Sequence, residues 1–296
     1  MKNVLKGVIS YPITPFTEQD DINHSLLSRI VDKMIKSGVH AIAPLGSAGV
    51  MPYLSDIERE EVTETVIQTV AKRVPTLVGV SSLTTSGTIH HAKIAEKLGA
   101  SAIMVLPLSY WKLTEKELLI HFSKIADAVS LPMVLYNNPA TSGIDLQPDM
   151  LIRLLDIPNI TMIKESSGDI KRMHRLVEKC GKDITFFNGN NPMALDAFSA
   201  GASGWCTVAP HIIPELTLQF YEAIESGELK KAKILFDKQL PFLQFIVKHG
   251  LPRAISAALE YMGTSVGPLR LPLQPLAPEL KRELLNILIG LGKVLP

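Results

Sequence analysis

Residues 88 to 107 read TIHHAKIAEKLGASAIMVLP, in which a helix-like segment runs straight into a short apolar strand. Gly99 is typical of a helix end, because glycine readily adopts the left-handed conformation that closes many helices. The same junction recurs as SGVHAIAPL at 37–45 and as AGASGWCTV at 200–208. Each copy places a glycine at a helix end, then small residues, then a strand. These junctions predict a chain built from alternating helices and strands.

The alternation extends from GVISYPITPF at 7–16 to SGWCTV at 203–208 and gives eight strands, each followed by a helix. Strands that alternate with helices form parallel sheets, since each crossover needs a connecting helix. Eight units predict an α/β fold, the closed (β/α)₈ TIM barrel, with a doubly wound open sheet as the alternative. That alternative loses support because no GxGxxG follows the first strand and no GxxxxGK[ST] occurs.

After the eighth unit the chain continues as helix alone, in segments 227–250, 251–263 and 277–292. We therefore predict a barrel domain at 1–225 and a C-terminal appendage of three helices at 226–296.

The composition favours a small-molecule partner and a cytoplasmic location. Of 296 residues, 30 are Lys or Arg and 29 are Asp or Glu, a balance that predicts no binding to nucleic acid or membranes. The only cysteines, Cys180 and Cys206, form no CxxC pair, which fits a reducing compartment. Prolines 12 and 15 interrupt the N-terminus and argue against a signal peptide. No HExxH occurs, so we expect no metal site.

A lysine closes the sixth predicted strand, in NITMIKESSGD at 159–169. Catalytic groups of this fold come from the carboxyl ends of strands. Lys164 would lose hydration there, which disfavours the charged form and leaves an amine able to attack a ketone as a Schiff-base nucleophile. It could equally extend to solvent or pair with Glu165.

Two other strand ends offer matching chemistry. Tyr136 closes the fifth strand, where its phenol could pass protons to and from a carbinolamine, although a core tyrosine would also fit the pattern. After the second strand, the loop of Gly46, Ser47, Ala48 and Gly49 could bind a carboxylate through its backbone N–H groups and the serine hydroxyl. A tight turn would explain these small residues equally well.

With a lysine on strand six, YNNP on strand five and a G-small-small-G loop after strand two, the chain resembles the dihydrodipicolinate synthase and N-acetylneuraminate lyase family. The resemblance spans nearly the whole chain and includes RLP at 270–272. It implies a barrel with a helical C-terminal region, usually a homotetramer built as a dimer of dimers. It also implies condensation or cleavage of pyruvate or another 2-keto acid through a lysine imine, without a further cofactor.

The resemblance also implies roles for individual residues. Lys164 would form the imine and Tyr136 would relay protons, a relay that Ser47 would continue and that Tyr110 would join from a neighbouring subunit. Four positions would contact the substrate through backbone groups or an apolar side chain: Ala48, Gly49, Gly189 and Cys206.

The chain departs from the family pattern at the loop and beyond strand five. The loop commonly reads GTTGE, whereas here Ala48 lacks the second hydroxyl, a loss of about 1 kcal/mol, and Val50 replaces the acid. Thr141 stands where the lysine-pathway synthase has an arginine for the distal carboxylate of its aldehyde substrate. We therefore predict a class I aldolase, lyase or dehydratase for a 2-keto acid. The alternatives are the lysine-pathway synthase and a degenerate barrel that binds a carboxylate without catalysis.

Overall fold

The computed structural model describes residues 5–181 and 184–295 and confirms the (β/α)₈ TIM barrel. Eight parallel strands form one sheet in the order β2-β1-β8-β7-β6-β5-β4-β3. The strands are β1 (Gly7–Ser10), β2 (Ala41–Ile42), β3 (Leu77–Gly79), β4 (Ala102–Val105), β5 (Met133–Asn137), β6 (Ile160–Glu165), β7 (Phe186–Asn188) and β8 (Gly204–Thr207).

Helices connect the strands and continue beyond the last one. Between strands lie α1 (His24–Ser37), α2 (Asp56–Val70), α3 (Thr85–Leu98), α4 (Glu115–Ala128), α5 (Pro139–Ser142), α6 (Pro148–Leu155), α7 (Ile170–Cys180) and α8 (Ala194–Ser199). After β8 come α9 (Pro214–Glu225), α10 (Leu229–His249), α11 (Leu251–Tyr261) and α12 (Pro278–Gly290). The last three confirm the helical C-terminal region. No helix in the described part of the chain is long and apolar enough to cross a membrane.

Helix ends follow the local sequence signals. The Asn23 side chain accepts the Leu26 N–H at 3.0 Å, and Gly38 ends α1 with a φ of 98°. The spacing of Ser55 and Glu58 predicts a capping box, and the two residues form it at the start of α2. The sequence pattern predicts that this helix reaches about Arg73, but it ends at Val70, because Ala71 already adopts a left-handed conformation with a φ of 48°.

Two strands are shorter than predicted, and the short helix α5 was not predicted. The first strand ends at Ser10 rather than at residue 16, since Pro12 and Pro15 supply no N–H for a sheet. The second covers only Ala41–Ile42. The apolar run DITFFN at 183–188 predicts the seventh strand, whose first residue, Asp183, lies outside the described residues.

Among the described residues, one compact unit comprises 5–7, 75–181 and 184–206 and contains β3 to β7 and most of β8. Its core includes the fully buried Phe122, Phe186, Phe187 and Trp205. The register between β5 and β6 pairs Tyr136 with Lys164 and Asn137 with Glu165. This pairing brings the two strand ends that carry the predicted chemistry side by side.

The other compact unit comprises the described residues 8–74 and 207–295. It contains β2, α1, α2 and the helices α9 to α12, with Phe220 and Phe242 fully buried. Arg270, in the RLP motif, contacts the carboxylates of Asp20 at 3.1 Å and Glu58 at 2.8 Å. The predicted boundary near residue 225 stays a prediction, since these units divide the chain by compactness.

Candidate active site

The ends of β5 and β6 place a lysine against a tyrosine. Because Tyr136 and Lys164 are register partners, their side chains leave the sheet on the same face. Each is only 4% exposed, and the Lys164 Nζ lies 3.9 Å from the centre of the Tyr136 ring. A primary amine is thus held in a largely water-free position beside a phenol. Of the two interpretations of Lys164, extension to solvent is wrong.

Gly189, directly after β7, completes this cluster. Its N–H donates to the Glu165 carbonyl at 2.8 Å. A Cβ at this position would lie 2.7 Å from the Lys164 Cε and would overlap the Ser166 hydroxyl. Glycine is therefore required for the lysine side chain to take this path. The structure brings Gly189, Lys164 and Tyr136 together, while the role of the Gly189 carbonyl toward substrate stays a prediction.

A hydrogen-bonded layer behind the pair was not apparent from sequence patterns. The buried Asn137 amide donates to the Glu165 carboxylate at 3.0 Å and to Asp145 at 3.4 Å, and its oxygen accepts the Leu146 N–H at 2.9 Å. The Glu165 carboxylate also accepts the Ser167 N–H at 2.6 Å. These bonds fix the ends of β5 and β6, since each links a residue adjacent to Tyr136 or Lys164.

Arg172 on α7 anchors this layer. Its guanidinium binds Asp145 in a bidentate manner, at 2.6 and 2.7 Å. Hydrogen bonding by Arg172 holds the pKa of the Asp145 carboxyl below its ordinary value, although partial burial opposes this effect. Asn137 and Glu165 could have been suspected because each directly follows a predicted catalytic residue. The contact between Asp145 and Arg172 spans 27 positions and leaves no local signal.

Three other predicted site residues belong to the same compact unit as Lys164. Cys206 is buried on β8, one residue past the registered pair of Asn188 and Trp205. Thr141 is exposed on the short helix α5. Tyr110 is 88% exposed and contacts the ring of Trp111 edge to face, so the single chain does not bring it to Lys164. Its role across a subunit interface stays a prediction.

The loop after β2 belongs to the other compact unit and has an unusual backbone. Leu45 and Val50 flank it with φ values of 58° and 49°, and the left-handed region is unfavourable for a β-branched residue such as valine. A Cβ on Gly46 would lie 2.7 Å from the Tyr11 Cε1, which explains the first glycine. The Gly49 carbonyl accepts the Thr14 hydroxyl at 2.8 Å.

Within that loop, Ser47 is half-buried and Ala48 is 2% exposed. The segment from Tyr11 to Thr14 holds the loop, and His211 in turn holds this segment. The His211 Nε2 lies 3.2 Å from the Ile13 nitrogen and 3.1 Å from the Tyr11 carbonyl oxygen. Burial lowers the pKa of His211 to about 4, so the ring is neutral near neutral pH. The roles of Ser47, Ala48 and Gly49 toward substrate stay predictions.

The described residues include no group of three or more His, Cys, Asp or Glu side chains that could hold a metal ion. The strand ends instead carry an amine, a phenol and a hydrogen-bonded carboxylate layer.

Comparisons with known proteins identify the family of the chain. The model of the dihydrodipicolinate synthetase family matches residues 4–290. The 4-hydroxy-tetrahydrodipicolinate synthase 1 of Halalkalibacterium halodurans is 33% identical over 277 residues, covering 94% of each chain. The 4-hydroxy-tetrahydrodipicolinate synthase of Methanopyrus kandleri is 33% identical over 290 residues, covering 97% of each.

Solved structures show the same architecture. A candidate dihydrodipicolinate synthetase from Pseudomonas aeruginosa is 49% identical, with a TM-score of 0.95 over 97% of this chain and 99% of that one. A dihydrodipicolinate synthase from Thermotoga maritima is 28% identical, with a TM-score of 0.94 over 99% of this chain and 100% of that one.

Proposed function

Because the chain belongs to the dihydrodipicolinate synthetase family, we propose that it is a class I lyase that forms a Schiff base between Lys164 and pyruvate or a related 2-keto acid. The observation that carries this proposal is the buried Lys164 amine, 3.9 Å from the Tyr136 ring centre at two adjacent strand ends. An amine so shielded from water is suited to nucleophilic attack on a ketone.

The reaction begins when the Lys164 amine adds to the ketone carbon of the substrate and gives a carbinolamine. Tyr136 then donates its proton to the carbinolamine hydroxyl. The nitrogen lone pair forms the C=N bond as water leaves, and Tyr136 becomes a phenolate. The protonated imine accepts the electron pair of a neighbouring C–H bond, whose proton returns to the phenolate. The resulting enamine then attacks a carbonyl carbon and makes a C–C bond, or it expels a hydroxyl group as water. In the cleavage direction the protonated imine instead accepts the electron pair of the breaking C–C bond and gives the enamine directly.

The substrate is held at its carboxylate in this proposal. The backbone N–H groups of Ala48 and Gly49 and the Ser47 hydroxyl are the proposed donors, as the resemblance to the family implies. No metal ion or organic cofactor takes part, because the lysine imine itself serves as the electron sink.

A second candidate is the 4-hydroxy-tetrahydrodipicolinate synthase reaction of lysine biosynthesis. It is favoured by the names of the relatives in H. halodurans and M. kandleri. Against it stands Thr141, whose hydroxyl cannot replace the bidentate contact of an arginine with a distal carboxylate. Pyruvate consumption with aspartate semialdehyde as the second substrate tests this candidate. A panel of sugar-derived and hydroxylated 2-keto acids, read by pyruvate release and by dehydration, tests the first.

A degenerate barrel that only binds a carboxylate is separated from both by chemical trapping. Borohydride reduction in the presence of pyruvate should leave a stable adduct on Lys164 of an enzyme and none on a binding protein. The packing of Gly189 against the lysine stem favours the enzyme, since a carboxylate-binding site has no need of a glycine at this position.

The proposed assembly is a homotetramer, a dimer of dimers, in the cytoplasm. Tyr110 and Trp111 support it because both are large, 88% and 77% exposed, and adjacent. Sedimentation analysis of the wild-type chain and of a Tyr110→Ala, Trp111→Ala double variant tests the assembly. We expect the double variant to dissociate into smaller species.

A further inference from the structure

The residue after Asn137 contacts the phenol of Tyr136 directly. The Nδ2 atom of Asn138 lies 2.8 Å from the Tyr136 hydroxyl oxygen, a good hydrogen-bond distance. The backbone of Asn138 is also fixed, because its carbonyl accepts the N–H groups of Thr141 and Ser142, each at 3.0 Å. A half-buried amide is thus held against the phenol by the first turn of α5.

This contact determines which way the phenol can act. An amide N–H donates, so the Tyr136 oxygen is the acceptor and its own proton must point away from Asn138. Asn137 does not share this role, since its amide is bound to Glu165, Asp145 and the Leu146 N–H. The two neighbouring asparagines of YNNP therefore act differently, one within the layer behind the sheet and one on the phenol.

We propose that Asn138 is a positioning residue for proton transfer by Tyr136, an inference that rests on the proposed function. Its N–H directs the phenol proton away from the amide, so that the proton is delivered to the carbinolamine hydroxyl. When Tyr136 gives up this proton, the same N–H donates to the phenolate and stabilises it. Asn138 thereby assists both the loss of water and the return of the proton from the C–H bond next to the imine.

Two ionisable side chains of β6 neighbour the strand that carries the phenol. Lys164 on β6 lies over the ring, and Glu165 alternates to the opposite face, where Asn137 and Ser167 bind its carboxylate. The strand β4 on the other side of β5 and the helix α5 contain no ionisable side chains. These neighbours are the same in every Asn138 variant, so a difference in pH response between the variants reports the substituted amide.

The test compares Asn138→Leu, which removes the donor at similar size, with the isosteric Asn138→Asp, which offers only acceptors. Full-length protein is mixed with pyruvate and quenched with borohydride at intervals, and the adduct on Lys164 is quantified by mass spectrometry across a pH series. We expect adduct formation to slow roughly three- to tenfold in Asn138→Leu, with the alkaline limb of its pH profile moved upward by about one pH unit. Asn138→Asp should slow it further, because a carboxylate captures the phenol proton.

Ser142→Ala is the matched control. It removes a hydrogen bond to the Asn138 carbonyl, 3.2 Å long, and leaves the amide in place. We expect its rate and pH profile to match the wild type. If the slower reaction of Asn138→Leu came from a disturbed α5 turn rather than from the lost amide, Ser142→Ala would be slowed as well. Thermal melts of all variants serve to check that each is folded.

Two results would overturn the inference while leaving the proposed function intact. In the first, the wild type forms the adduct on Lys164 and Asn138→Leu forms it at the same rate and with the same pH profile. In the second, Asn138→Asp keeps the full rate. The latter would mean that the amide oxygen accepts the phenol proton. Wild-type Lys164 without adduct would instead overturn the proposed function and this inference with it.

Discussion

The ends of β5 to β7 and the loop after β2 both carry residues that the sequence singles out, yet different interactions hold them in place. At the strand ends, side-chain hydrogen bonds from Asn137 and Glu165 fix the backbone beside Tyr136 and Lys164. In the loop, packing and backbone contacts dominate, with Gly46 against the Tyr11 ring and the Gly49 carbonyl bound by Thr14.

This difference parallels the resemblance of the sequence to its family. The strand ends match the family pattern at the lysine and the tyrosine, whereas the loop has Ala48 and Val50 where that pattern has a hydroxyl residue and an acid. A loop without those polar side chains must take its shape from its neighbours, and Val50 adopts a left-handed conformation there. We conclude that the strand ends tolerate little change in polar groups and that the loop depends on the segment beneath it.

The largest expected effect comes from Gly189→Ala. The added methyl group would lie 2.7 Å from the Lys164 Cε and displace the amine, and a displacement of about 1 Å reduces the rate roughly 100-fold. Steady-state kinetics with the best 2-keto acid measures this loss. Gly290→Ala is the control, since nothing lies within 4 Å of its added methyl group. Near-normal turnover by Gly189→Ala would show that the lysine is not held by this contact.

The loop region should lose stability in acid through His211. Its pKa falls from 6.5 to about 4 on folding, so below pH 6.5 the unfolded chain binds a proton that the folded chain does not. The contribution is complete above pH 6.5 and is lost as the pH falls toward 4, a difference of about 3 kcal/mol in the free energy of unfolding.

Urea unfolding at pH 7, 5.5 and 4 measures this dependence in the wild type and in His211→Gln. The variant should lack this part of the pH dependence, while His24→Gln, at a side chain that is 42% exposed, should keep it. Equal pH dependence in wild type and His211→Gln would refute the role assigned to His211.

A smaller effect is expected at the layer behind the strand ends. Asp145→Asn weakens the bidentate contact with Arg172, and we expect kcat to fall about tenfold with a loss of about 1 kcal/mol in stability. Because the folded pKa of Asp145 is lowered, its contribution is present above the unfolded pKa and disappears as the pH falls through the folded pKa.

Asp149→Asn provides the matched control for that layer. Arg175 binds both Asp149 oxygens at 2.8 Å, but this pair is more exposed and does not contact Asn137. Its removal should change stability by less than about 0.5 kcal/mol and leave kcat unchanged. Equal losses of kcat in the two variants would argue against a special role for Asp145.

The smallest effect concerns the hydroxyl that the loop lacks. A cavity of about 20 Å³ is lined in part by Ala48 and Val50, so the hydroxyl of Ala48→Ser has room. If the loop binds the substrate carboxylate, the new donor should lower KM for the 2-keto acid about two- to fivefold without changing kcat. An unchanged KM would indicate that the loop does not bind the carboxylate.

Much of the fold follows from local patterns, and the catalytic pair follows from strand position. Helix signals such as Asn23, Gly38 and the Ser55 capping box act within a few residues, so they can be recognised in one sequence. Lys164 and Tyr136 were found because each polar residue interrupts an apolar strand at its end.

The contacts that orient the catalytic pair could not be predicted from the sequence, because they depend on the three-dimensional path of the chain. The contact of Arg172 with Asp145 joins distant positions, and the donation by Asn138 depends on the path of the chain into α5. The left-handed backbone of Val50 could not be expected, because a β-branched residue normally avoids it. Sequence patterns therefore predict which groups take part more readily than the contacts that orient them.

The central claim is that the buried Lys164 amine attacks a ketone. Borohydride reduction of the wild-type protein with pyruvate, followed by peptide mass spectrometry, tests it most directly. We predict a reduced pyruvate adduct on the peptide that contains Lys164 and no adduct in a folded Lys164→Ala variant. An adduct on another lysine, or an unmodified Lys164 under conditions of turnover, would contradict the account.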